Sequence, residues 1–77
     1  MELYFYEDCE YSQIVLNTIS NLRIEEKFTF KDIRRNQNYA EELQEITGNE
    51  KVPCLITEKG PMKEAIDIRK FILSKFS

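Results

Sequence analysis

The 77-residue chain has no histidine, and only two cysteines, two prolines and two glycines. Without histidine it lacks the commonest general base, the usual zinc ligand and any Cys–His nucleophile pair. Two cysteines without histidine also make a four-ligand zinc site within one chain unexpected, so no metal is expected. Long apolar runs are missing too, and the longest falls far short of a bilayer span. No excess of basic residues marks a nucleic-acid surface, because the net charge is −3 and is spread along the chain. No repeat, linker or low-complexity stretch interrupts it. Met1 leads almost directly into the strand-like Leu3-Tyr4-Phe5-Tyr6, leaving no room for the basic and apolar regions of a signal peptide. The expected compartment is the cytoplasm, where two cysteines more often mean chemistry than a structural disulfide. What remains is 42% apolar and 32% charged, the balance of a soluble globular protein. Residues 1–77 are expected to form a single domain with one modest core.

Residues 2–6 read as a short buried strand bounded by Glu7-Asp8. Tyr11, Ile14, Val15, Ile19 and Leu22 then recur at helical spacing, with Asp8 as the expected N-cap and Glu10 suited to the positive end of the helix dipole. A charged turn over 23–27 leads to a second strand over 28–33 and a polar connection over 34–38. Tyr39, Leu43 and Ile46 predict a second amphipathic helix, stopped at Gly48-Asn49. Residues 52–57 predict a third strand with Pro53 at its start, since proline inside a central ladder would cost a hydrogen bond. A turn over 58–61, a short fourth strand at Met62-Lys63 and a closing helix from Ala65 to Phe76 complete the chain. The helix would bury Ile68, Phe71, Ile72 and Phe76. The order β-α-β-α-β-β-α, with a right-handed crossover and a final hairpin, gives an α/β fold. Its four-stranded mixed sheet has strand order 2-1-3-4, and helices cover both faces.

Chemistry concentrates at Cys9-Glu10-Tyr11-Ser12, where the first strand gives way to the first helix. A cysteine at a helix N-terminus faces unpaired backbone N–H groups and the positive dipole end, which favour the nucleophilic thiolate. Cys54 reads either as a core strand residue beside Leu55 and Ile56 or as a candidate second thiol. Tyr11 reads as the first member of the helical stripe.

The chain resembles the glutaredoxins, of the monothiol Cys-x-x-Ser type, and the similarly built N-terminal domain of glutathione transferases, on the thioredoxin fold. Cys9-Glu10-Tyr11-Ser12 is similar to Cys-Pro-Tyr-Ser; Val52-Pro53 is similar to the Val-Pro pair whose proline is cis; Glu64-Ala65 is similar to the Glu-Ser pair of the transferases. The resemblance implies a small glutathione-dependent thiol–disulfide oxidoreductase in which Cys9 is catalytic. Glutathione is its co-substrate, no cofactor is permanently bound, and glutathionylated or disulfide compounds are its substrates. It further implies that Val52, beside Pro53, offers its backbone to the cysteine part of glutathione. The turn at Glu64 and Ala65 presents N–H groups to the γ-glutamyl carboxylate. Lys51, Tyr11 and Ser12 belong to the same binding site by the same resemblance, and Arg34 or Arg35 would reach the glycine carboxylate. The Ser12 hydroxyl is expected to donate a hydrogen bond to the Cys9 sulfur. A monomer with no nucleic-acid or membrane partner is expected. The alternative is a module that binds glutathione, or an iron–sulfur cluster shared between two chains, with little turnover.

Three features depart from the pattern. Glu10 replaces the proline after the active cysteine, and Glu7, Asp8 and Glu10 crowd Cys9 with no lysine or arginine near it in sequence, which predicts a thiol less acidified than in the most reactive members. Ala65 lacks the hydroxyl of the matched serine. Cys54 directly follows Pro53.

Overall fold

Alternation along the first strand divides the molecule. Leu3 and Phe5 point to one face of the sheet and Tyr4 to the other, as the two-residue period of a strand requires. The computed structural model describes residues 1–77. Its elements are β1 (Glu2–Phe5), α1 (Glu10–Leu22), a 3-10 turn at Glu25–Lys27, β2 (Thr29–Asp32), α2 (Gln37–Thr47), β3 (Cys54–Thr57), β4 (Gly60–Met62) and α3 (Ala65–Phe76). The sheet order is β2-β1-β3-β4, the order expected from the sequence. β1 runs parallel to β2, with Leu3 opposite Phe30, and antiparallel to β3, with Tyr4 opposite Cys54. β3 and β4 form an antiparallel hairpin. At its turn Gly60 has φ 111°, a conformation strained for any residue with a Cβ.

One face carries the larger core. Leu3, Phe5 and Leu55 from the sheet meet Val15 and Ile19 of α1 and Ala65, Ile68 and Ile72 of α3, with Phe28 closing the edge. Each such aliphatic side chain, fully buried, contributes about 1.5–3 kcal/mol. The opposite face is covered by α2 and is smaller, with Tyr4, Cys54 and Leu43 buried together. A polar cluster roofs it. Lys31 Nζ pairs with Glu2 at 2.8 Å and Glu42 at 2.7 Å, and the Tyr4 hydroxyl donates to Glu42 Oε1 at 2.8 Å. Burial first, then the bond to Glu42, pushes the Tyr4 phenol up to about 12.

Several boundaries differ from the sequence reading. Asp8 is not the N-cap of α1; Cys9 is, with φ −88° and ψ 117°. α2 begins inside the expected polar connection, because the Asn36 side chain caps it by accepting from the Asn38 N–H at 2.9 Å. Its inward face is Ala40 and Leu43, continued by the half-buried Thr47 four residues on, which leaves Ile46 to the side and 46% exposed. β3 starts at Cys54 rather than Val52, and β4 lies at Gly60–Met62 rather than Met62-Lys63. Pro61 sits in that edge strand, where a missing N–H costs no ladder bond on the solvent side.

Candidate active site

Cys9 occupies the joint between β1 and α1. Its N–H donates to the Tyr6 carbonyl at 3.2 Å, closing the turn out of the strand, and its carbonyl accepts from Gln13 N–H at 3.0 Å as the first helical bond. The sulfur itself caps the helix, accepting from the Ser12 N–H at 3.4 Å. Partial burial pushes the thiol pKa up. The bond from the Ser12 N–H, together with the nearby Ser12 hydroxyl, Tyr11 N–H and Tyr6 side chain as donors to a thiolate, outweighs it, and the net shift is downward. The Ser12 hydroxyl is fully buried and has no hydrogen-bond partner within bonding geometry. It favours ionisation because a thiolate would supply the acceptor that it lacks.

The acidic neighbours expected to oppose the thiolate are answered from elsewhere in the chain. Glu7, Asp8 and Glu10 are all exposed. Arg35 Nη2 lies 3.5 Å from Glu7 Oε1 and Arg34 Nη1 lies 3.9 Å from Asp8 Oδ2. The Arg34 guanidinium also stacks 3.6 Å above the Tyr6 ring. Asp32, ending β2, holds the arginine turn by accepting from the N–H groups of Arg34 at 2.9 Å and Arg35 at 3.3 Å. Exposed ion pairs contribute about 1 kcal/mol at most, so each arginine reduces, by a modest amount, the opposing charge of the acid it meets.

A groove of about 410 Å³ opens beside this joint. Tyr11, Lys51, Val52, Pro53, Glu64 and Ala65 all line it, together with Asn49 and Lys63. The Val52–Pro53 peptide bond is cis. Six of the residues singled out in the sequence thus share one concavity, drawn from the start of α1, the approach to β3 and the start of α3. Cys9 and Ser12 are not among the lining residues; Tyr11, 58% exposed, is the link between them and the groove. Arg34 and Arg35 lie outside the lining and are engaged with the β1–α1 loop.

Residues 3–77 match the family of glutathione S-transferase N-terminal domains. The chain belongs to that family. Its fold is accordingly thioredoxin-like, and the family is one of glutathione-binding domains. The match falls on the transferase side of the resemblance rather than on the monothiol glutaredoxins. A search of curated proteins finds no sequence match.

Within this transferase-type domain Cys54 is fully buried against Tyr4 and Leu43. Burial pushes its thiol up, and the positive charge of Lys63 and a bond from the Met62 backbone only partly offset this. Both cysteines are free thiols. Cys54 is a core residue here, so its standing as a candidate second thiol finds no geometric support. Asn49 and Lys63 are groove residues that the sequence reading missed. In sequence Asn49 looks like a helix stop and Lys63 like the end of a short strand. The signal for Lys63 was available in the hairpin register, since Leu55 pairs with Met62 and one further step brings residue 63 across from Cys54 beside the Val52-Pro53 turn. No group of three or more His, Cys, Asp or Glu side chains is placed to share a metal ion. No helix is long and apolar enough to cross a membrane.

Proposed function

We propose that this domain is a glutathione-dependent thiol–disulfide oxidoreductase working through one thiol, Cys9. The observation that carries this reading is the Cys9 sulfur acting as helix cap, half-buried, with its pKa lowered by donors from Ser12 against the opposing effect of burial. A thiolate so held is the attacking species in disulfide exchange. Cys9 S⁻ attacks the glutathione sulfur of a mixed disulfide, the S–S bond breaks, and the substrate leaves as a thiolate that takes a proton from water. The Cys9–glutathione disulfide is then attacked by the thiolate of a second glutathione, giving glutathione disulfide and restoring Cys9 S⁻. Both steps conserve electrons within sulfur, and no cofactor is needed. Ser12 supports the thiolate and, having no sulfur, cannot close an internal disulfide; Cys9 is the one catalytic residue.

The groove supports glutathione as the co-substrate. Its wall carries the Val52 backbone beside Pro53 and the α3 N-terminus at Glu64 and Ala65. Glu64 caps that helix without a side-chain bond, so its first N–H groups are free of a side-chain acceptor at the groove wall. Lys51 adds a positive charge suited to an anionic tripeptide. The domain would act as a cytoplasmic monomer on glutathionylated or disulfide substrates.

The test is glutathione-coupled reduction of a small mixed disulfide by wild type, Cys9→Ser and Cys54→Ala. Turnover by wild type and Cys54→Ala, lost in Cys9→Ser, is the expected result. Turnover surviving in Cys9→Ser would sink the proposal, and glutathione binding without turnover in wild type would leave a binding module.

A further inference from the structure

Lys63 is a groove residue whose charge is only partly engaged: its one charged or polar side-chain partner is Asn49, and its positive charge acts weakly on the buried Cys54 thiol. It is half-buried in the wall beside Glu64, yet neither it nor Lys51 forms an ion pair anywhere in the molecule, although acidic residues outnumber basic ones 14 to 11. Its ammonium has three donors and makes a single bond, 3.3 Å long, to the neutral amide oxygen of Asn49. The same Oδ1 accepts from the Lys51 N–H at 3.1 Å. Asn49 thereby ties the approach to β3 to the approach to α3 and fixes the Lys63 ammonium beside it in the groove wall. A long bond to a neutral acceptor is about half as strong as one to a carboxylate, and with one of three donors so used Lys63 keeps two for an anion entering the groove.

We propose that Lys63, held by Asn49, is a carboxylate-reading residue of this groove, selecting a peptide thiol with a free carboxylate over its neutral derivatives. This rests on the glutathione reading above and adds to it the residue that sets charge selectivity. Glutathione offers two such carboxylates, one on glycine and one on the γ-glutamyl residue, and Lys63 takes one of them.

The probe is S-methylglutathione, which cannot exchange with Cys9, titrated calorimetrically against wild type, Lys63→Met, Asn49→Asp and, as a charge-matched control, Lys59→Met on the distant β3–β4 turn. Lys63→Met should weaken binding roughly fivefold to tenfold, the scale of a partly exposed charge-assisted hydrogen bond. Asn49→Asp should weaken it as well, by giving Lys63 a carboxylate inside the protein. Lys59→Met should bind as wild type does. Repeating the titrations with the glycine ethyl ester and with the γ-glutamyl α-carboxamide identifies the carboxylate. The derivative lacking it should bind wild type more weakly and lose no further affinity in Lys63→Met, as a double-mutant cycle requires. Lys63→Met binding as tightly as wild type, or no more weakly than Lys59→Met, would overturn the inference while leaving the glutathione reading intact. Failure of wild type itself to bind strikes the glutathione reading and the inference with it.

Discussion

The two cysteines of this domain are the same group in opposite settings. Cys9 sits where a strand ends and a helix begins, its sulfur accepting from a backbone N–H and facing a buried hydroxyl without a partner. Cys54 lies in the strand hydrogen-bonded next to β1, opposite Tyr4, sealed against Leu43 under the Lys31 cluster. Both are withdrawn from water to some degree, and burial pushes both thiols up. Only at Cys9 do hydrogen-bond donors win, and its pKa falls while that of Cys54 rises. Proximity to the Val52-Pro53 turn does not make a cysteine reactive. Donors aimed at the sulfur do, and a helix N-terminus supplies them.

The widest separation between the two is in catalysis. Cys9→Ser should lower thiol exchange at least about a thousandfold, since a serine hydroxyl stays protonated at neutral pH, whereas Cys54→Ala should keep turnover within about twofold. Loss of turnover in a folded Cys54→Ala protein would break the comparison.

Stability should reverse the ranking. Cys54→Ser buries a hydroxyl among Tyr4 and Leu43 and should cost about 1–3 kcal/mol in urea unfolding. Cys9→Ser replaces a sulfur cap by a hydroxyl, a preferred helix cap, and should leave stability unchanged or slightly raised. Equal losses from the two substitutions would show that Cys9 does not act as the cap.

A smaller effect isolates Ser12. Ser12→Ala removes a buried hydroxyl with no partner, so the thermal midpoint should hold or rise. The Cys9 pKa, followed by thiolate absorbance, should move up toward the ordinary thiol value. An unchanged pKa would assign the acidity to the backbone N–H groups alone.

The mildest prediction concerns the roof over Cys54. The bond from Lys31, then that from Tyr4, holds the Glu42 carboxyl below its usual range. A depressed carboxylate stabilises the fold above its unfolded pKa and loses that contribution as pH falls through the folded value. Glu42→Gln should therefore be less stable than wild type in urea at pH 7, with the gap closing as the solution is acidified through and below the carboxylate range. A gap that persists at low pH would mean that packing, not charge, explains it.

Most of the architecture was legible because it follows from periodicity. The stripe at Val15 and Ile19, the run Leu3-Tyr4-Phe5 and the closing helix with Ile68 and Ile72 announce their buried faces, and element order then fixes the sheet. The groove was legible as far as its residues are local to Val52-Pro53 or to the α3 start. What escaped is non-local. Arg34 and Arg35 reach the Cys9 loop from the end of a strand that neighbours it only in the sheet, so reading along the chain showed acids without their partners. Aspartate caps helices well by propensity, which points to Asp8, but the backbone turn bonded at Tyr6 starts the helix one residue later, at Cys9. Ile46 continues the apolar stripe of α2 but lies to the side of the face carrying Ala40, Leu43 and the half-buried Thr47.

The most direct measurement is the pH dependence of alkylation of the native protein by iodoacetamide, with each cysteine followed separately by peptide mass. Cys9 should react with a midpoint below that of a free thiol, while Cys54 stays unmodified across the range until the protein is unfolded. A Cys9 midpoint at or above the ordinary thiol value, or Cys54 reacting alongside it in the folded state, would contradict the account.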